Sequence, residues 1–195
     1  MRVFIKNPGS AEEATGTGKL NLLVSGFGQQ DIVPVDDIVH AIDVLPSVHL
    51  EGLREIVYLP QFAPMTGALC YPGLPWCNPQ GEFIQNERRV YVYSFDSRAM
   101  LFHMLFHEIG HFVFYLVIGS RVKKRWVTEI SSESACVTAY ASSNPREDFA
   151  ETYAYYVRHP QFLKKEVPHK YAFMRDYVFS GNPEHLKERV RGASD

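Results

Sequence analysis

Apolar and polar residues change their spacing several times along this chain, and each change predicts an element. Val35 to Leu45 sets Ile38, Ala41, Ile42 and Leu45 on one face at helical spacing and is halted by Pro46, which predicts a helix. Glu55 to Leu59 and Arg89 to Phe95 read as strands, the second because Val90 and Val92 alternate with Tyr91, Tyr93 and the neighbouring polar positions. Met1 to Ile5 is a further short strand, and Gly9 to Gly18, small and polar, reads as a loop. From Ala63 to Gly81 four Pro and three Gly interrupt any regular pattern, which predicts a long structured loop, either a lid or a rigid surface excursion. Ala99 to Ile118 is apolar nearly all round, the pattern of a buried helix, and Asp96 and Ser97 stand before it as natural caps.

A second long helix begins at Asn144, a good N-cap, with Pro145 in the first helical position and a stop near Pro160. Val167-Pro168 opens a further helical stretch over Tyr171 to Phe179, whose aromatic residues are spaced to dock against the rest of the domain. Asn182-Pro183 opens another helix over Glu184 to Arg191. Strands early and helices late predict an α+β fold: a sheet-bearing part over 1–98 and a helical part over 99–195, in one domain.

Chemistry enters through the buried helix, which contains His107-Glu108-Ile109-Gly110-His111, the HExxH arrangement of zinc peptidases. At about 100° per residue the two His side chains project about 40° apart and can share one metal ion. Glu108 projects about 60° from His111, beyond a shared ligand position but suited to a water beside the metal. Buried His and Glu are costly unless paired or bound to metal, so one catalytic zinc is the expectation and a satisfied polar cluster in the core its alternative. His103 continues the stripe one turn earlier and is expected to hydrogen-bond behind the ligands, not to bind the metal.

Catalytic zinc takes three protein ligands and keeps one position open. The third is sought in Glu147-Asp148-Phe149-Ala150-Glu151, where Glu147 and Glu151 lie one turn apart and Ala150 and Ala154 flank them. Small residues there, with Gly110 on the other helix, let two backbones come close enough for a short carboxylate to reach the metal. Glu147 is the favoured ligand, although Asn144-x-x-Glu147 also fits a capping box. Glu151 is favoured as the group that orients a ligand histidine through its ring N–H, while Asp148 and Glu151 also suit ordinary solvated charges near a helix start.

HEIGH, then Tyr140, then six residues, then the Glu147 to Glu151 run resembles the gluzincin metallopeptidases that include the anthrax lethal factor catalytic domain and the Pro-Pro endopeptidases. The likeness covers about Met100 to Tyr156. It implies a single zincin-like metallopeptidase domain over 1–195, with His107, His111 and Glu147 as zinc ligands and Glu108 as general base. It further implies Tyr140 as stabiliser of the reacting oxyanion and Glu151 behind the ligands. The function it implies is a zinc-dependent endopeptidase acting on peptide or protein substrates. In zinc peptidases of this build a sheet edge beside the motif helix pairs with extended substrate, and Arg89 to Phe95 is expected to be that edge. Two other classes remain: a regulatory, repressor-cleaving HExxH peptidase with one dedicated target, and a non-catalytic module in which zinc braces two helices.

Composition narrows the partners. A formal net charge of -2 gives no electrostatic footprint for nucleic acid. The basic cluster Arg121 to Arg125 directly follows the buried helix and suits its negative end. Three His and a Glu inside Leu101 to Ile118 argue against a membrane span, since lipid penalises them. Met1 to Lys6 lacks the uninterrupted apolar core of a signal peptide, which favours a cytoplasmic location. Cys70, Cys77 and Cys136 are expected to be reduced thiols without a part in the metal site.

Overall fold

The computed structural model describes residues 2–6, 21–60, 80–131 and 135–181, with backbone alone for 2–6 and Asn21. The predicted loop 9–18, most of the predicted loop 63–81 with Cys70 and Cys77, and the predicted helix 184–191 lie outside them. The chain divides into two compact units, Met1–Ile109 and Gly110–Asp195.

The first unit is built on a five-stranded mixed sheet, as the α+β pattern predicts. Its strands are β1 (Arg2–Lys6), β2 (Asn21–Ser25), β3 (Glu55–Tyr58), β4 (Gly81–Ile84) and β5 (Arg89–Val92), in the spatial order β1-β2-β3-β5-β4. β1, β2, β3 and β5 run parallel, and β4 pairs antiparallel to β5 at one edge. Period-two alternation decides the faces. Val24, Ile56 and Val90 are in register across three strands and each is fully buried, forming the apolar face of the sheet. On the opposite face Ser25 Oγ donates to Glu55 at 2.6 Å and Arg89 pairs with Glu55 at 3.0 Å. Helix α1 (Val35–Asp43) follows β2 and buries Ile38 and Ile42, the face its spacing predicts.

Two strands were not legible as such. β2 is a short apolar run ended by Gly26, and β4 is the first arm of a hairpin whose turn holds Arg88 at φ 56°. β4 changes one expectation directly. The strand Arg89 to Phe95 is not a sheet edge, because β4 covers its outer side. Pairing costs β5 its free backbone groups, so among the described residues the edge on this side is β4. Its first residue, Gly81, lies against the next helix: a Cβ there would come within 2.6 Å of Met104 Sδ and 2.8 Å of Tyr91 O.

That helix is α2 (Arg98–Phe112), opened by Ser97, whose Oγ accepts from Met100 N at 3.3 Å. Leu101, Leu105 and Ile109 are completely buried. The helix continues through a π-helical turn, Val113–Val117, where Ile118 N bonds back to Val113 O at 3.0 Å. Over Arg98–Val117 it has the length and composition of a membrane span, yet 72% of its apolar window is buried in the protein, the state of a core helix. Lys123 Nζ donates to Tyr115 O at 2.8 Å, so one residue of the basic cluster does satisfy a carbonyl near the helix end.

The second unit is helical. It contains α3 (Ser120–Arg125) with a π-helical turn over Trp126–Ile130, then α4 (Pro145–Arg158), α5 (Pro160–Glu166) and α6 (Pro168–Phe173), the last also extended by a π-helical turn. Pro145, Pro160 and Pro168 each occupy the start of their helix, where a missing N–H is harmless. Pro160 therefore ends one helix and begins another. An aromatic core joins them: Trp126 meets Phe149 at 5.2 Å and Phe173 at 5.1 Å between ring centroids, and Phe179 stacks on Tyr153 at 5.1 Å. Phe173 and Phe179 thus dock as their spacing predicts.

Gly26 and Gly52 separate two costs of adding a side chain. Both have positive φ, 79° and 91°, but a Cβ on Gly26 would also lie 2.2 Å from Tyr58 O, whereas on Gly52 it would meet only Arg88 at 3.6 Å. Gly26→Ala is expected to lower stability by about 3–5 kcal/mol and Gly52→Ala by about 1–2 kcal/mol in chemical denaturation. Equal losses would contradict the assigned close approach of Gly26 to β3.

Candidate metal centre

His107 and His111 stand one helical turn apart on α2, and Glu147 stands in the first turn of α4. One ligand atom from each lies within 4.8 Å of the others, so these three residues form a group that can hold a metal ion. His111 Nε2 is 3.1 Å from Glu147 Oε2. Donor atoms on a tetrahedral zinc with bonds of about 2.0–2.1 Å are about 3.3–3.4 Å apart, close to the His111–Glu147 separation, and two imidazole nitrogens with a carboxylate oxygen are donor types that zinc accepts. Among the described residues the group comprises these three; His103, half-buried a turn earlier on α2, and Glu151 stand outside it.

The local reasons lie in the backbone. Gly110, between the two histidines, faces α4: a Cβ there would lie 3.0 Å from Ala150 Cα and 3.2 Å from Ala150 O. Small residues on both helices are what permit this approach, as the sequence predicts. Asn144 caps α4, its side chain accepting from Arg146 N at 2.9 Å and Glu147 N at 3.1 Å. The Glu147 backbone thus takes part in the cap, while its carboxylate extends to His111, the role favoured over the capping box.

Glu108 is 7% exposed and His107 6% exposed, so the motif carboxylate is set in a largely dry place. Tyr93, just beyond β5, is close enough to Glu108 to feel its charge, and its hydroxyl donates to Glu82 on β4. Burial pushes the Tyr93 phenol well up, with Glu82 and Glu108 adding to that push, so it stays a proton donor at neutral pH. Nothing in the sequence marks Tyr93 as a neighbour of Glu108, because the hairpin that sets Glu82 on its hydroxyl has no clear strand period.

Glu151 is buried, and its Oε2 accepts from Thr138 Oγ1 at 2.8 Å. The same Thr138 oxygen accepts from Ala141 N at 3.1 Å. Thr138 thereby ties α4 to the short 3₁₀ turn Ala141–Ser143 that Tyr140 precedes; Tyr140 itself is 43% exposed. The solvated reading of Asp148 and Glu151 is overturned, since both are buried. Asp148 is fully enclosed and receives two hydrogen bonds from the equally buried Lys170, at 2.7 and 2.8 Å. Burial pushes the Asp148 carboxyl up while Lys170 and Ser131 pull it down. Nothing in the pattern around Lys170 marks it as buried, because its partner lies 22 positions away. Among the described residues Cys136 forms no disulfide and stands outside the metal group.

Comparison of the sequence with models of known protein families and with curated proteins finds no match.

Gly110→Val forces α2 and α4 apart and is expected to lower stability by about 1–3 kcal/mol, read as a fall in the midpoint of chemical denaturation. An unchanged midpoint would show that the two helices do not depend on this contact.

Proposed function

We propose that this protein is a zinc-dependent endopeptidase of zincin-like build, with His107, His111 and Glu147 as metal ligands. The observation that carries this reading is the convergence of three donors, two imidazoles and one carboxylate, from two helices that touch at Gly110 and Ala150. Three protein ligands, the number found among the described residues, leave a coordination position for substrate or water, which favours catalysis over a bracing site closed by four. The resemblance of the HEIGH, Tyr140 and Glu147 to Glu151 pattern to gluzincins points the same way.

A bound zinc ion supplies Lewis acidity, making water more acidic and a carbonyl more electrophilic. Glu108, in its nearly dry setting, accepts the proton of the attacking water and delivers it to the leaving amine, so the peptide bond is replaced by an acid and an amine with no proton lost. Tyr140 donates to the oxyanion that forms at the carbonyl oxygen, a bond stronger in the transition state than in the ground state. Its exposed position suits a group that meets substrate, and the Thr138 link to Glu151 restrains the segment that carries it. β4, the antiparallel edge beside α2, pairs with the extended substrate backbone in place of the β5 edge expected from sequence.

Metal analysis combined with an unbiased peptide-library digest tests the assignment. Wild type is expected to retain about one zinc per chain and to cleave peptides. His111→Ala and Glu147→Ala are expected to lose the metal. Glu108→Gln is expected to keep zinc and lose turnover by about 10²–10⁴-fold, and Tyr140→Phe to lose about 10²–10³-fold in kcat. Turnover of Glu108→Gln at the wild-type rate would end the general-base assignment. Substrate pairing has its own readout: amide exchange in Gly81–Ile84 is expected to slow when a peptide inhibitor binds, and unchanged exchange there would remove β4 from the account.

A further inference from the structure

The first turn of α4 is fixed at three places that bracket Glu147. Asn144 Oδ1 holds the N–H groups of residues 146 and 147. Trp126, fully buried, donates from Nε1 to Pro145 O at 2.7 Å. Lys170 Nζ, also fully buried, donates to both oxygens of Asp148, the residue directly after Glu147, and lies 5.8 Å from the Trp126 ring. Asn144 is local, but Trp126 comes from the π-helical turn after α3 and Lys170 from α6, beyond α5, and together with Pro145 and Asp148 they close a ring at the turn.

Such an ion pair is poorly explained by stability. Removing both charges from water costs several kcal/mol per ion, and well-packed hydrophobic replacements of buried pairs are often neutral or stabilising. What the pair supplies that a Leu and a Met would not is direction: two hydrogen bonds of defined geometry, from a lysine whose position α6 sets, onto a carboxylate one residue from the metal-binding arm. Groups behind a metal ligand matter to binding, since their mutation commonly lowers metal affinity about 10–100-fold, and here they hold the residues on either side of Glu147. We infer that Lys170, Asp148 and Trp126 are positioning residues for the metal centre: they hold the start of α4 so that the Glu147 carboxylate is directed at His111 before metal arrives. The inference rests on the proposed metal-binding role of Glu147.

The test measures zinc affinity of the full apo-protein by competition with a chromogenic chelator, beside its thermal midpoint. The paired variant Asp148→Leu/Lys170→Met is expected to keep or raise the thermal midpoint while zinc affinity falls about 10–100-fold. Trp126→Phe keeps an aromatic ring but removes the donor to Pro145 O, and zinc affinity of its folded form is expected to fall about tenfold. A folded paired variant that binds zinc as tightly as wild type would overturn the inference, as would a loss of affinity no larger than the loss of folded protein. Should the paired variant not fold, Trp126→Phe decides, and undiminished affinity there overturns it. Wild type that takes up no zinc at all would bring down the reading of the site itself, a failure visible before any variant is made.

Discussion

Two helices can offer ligands to one ion only if their backbones come within the reach of a glutamate side chain, and in this protein Gly110 and Ala150 set that distance. With 3.0 Å between the place of an added Cβ on Gly110 and Ala150 Cα, no side chain fits between the helices there. The metal motif is therefore more than two histidines at the right spacing. The residue between them belongs to the same geometry, since a Cβ there would press on the Ala150 backbone of the helix that carries Glu147. The Asn144 cap and the Lys170–Asp148 pair both lie at the start of the helix that carries Glu147.

The sequence reveals the site better than it reveals the sheet. His107 and His111 are legible because a metal needs two ligands on one helical face, a demand that local spacing satisfies. Glu147 is legible because its helix start is marked by Asn144 and Pro145 and its face by alanines. Asp148 was not legible: a carboxylate in a first helical turn looks the same in sequence whether it meets water or a lysine 22 residues on. Thr138, which joins Glu151 to the Tyr140 turn, is equally anonymous, since its role depends on a hydrogen bond across 13 positions.

In the sheet, β1, β3 and β5 are marked by β-branched and apolar runs. β4 is not, because Gly81 opens it and Glu82 interrupts it. Both residues have physical reasons for being there: Gly81 makes room for Met104 and the Tyr91 carbonyl, and Glu82 receives the Tyr93 hydroxyl. Residues chosen for contact with another element disguise the period of their own strand, which is why the edge was assigned one strand too far in. The correction also moves the proposed substrate contact from β5, paired on both sides, to β4, the last of the described strands in the sheet.

The proposed centre is a metal held by two imidazoles and one carboxylate with a position left for water. X-ray absorption at the zinc edge, on the protein loaded with one equivalent of zinc, reads that coordination directly. The account predicts nitrogen and oxygen neighbours alone at about 2.0–2.2 Å, two of them imidazoles. A sulfur neighbour at about 2.3 Å, or a shell with fewer than two imidazoles, would contradict it.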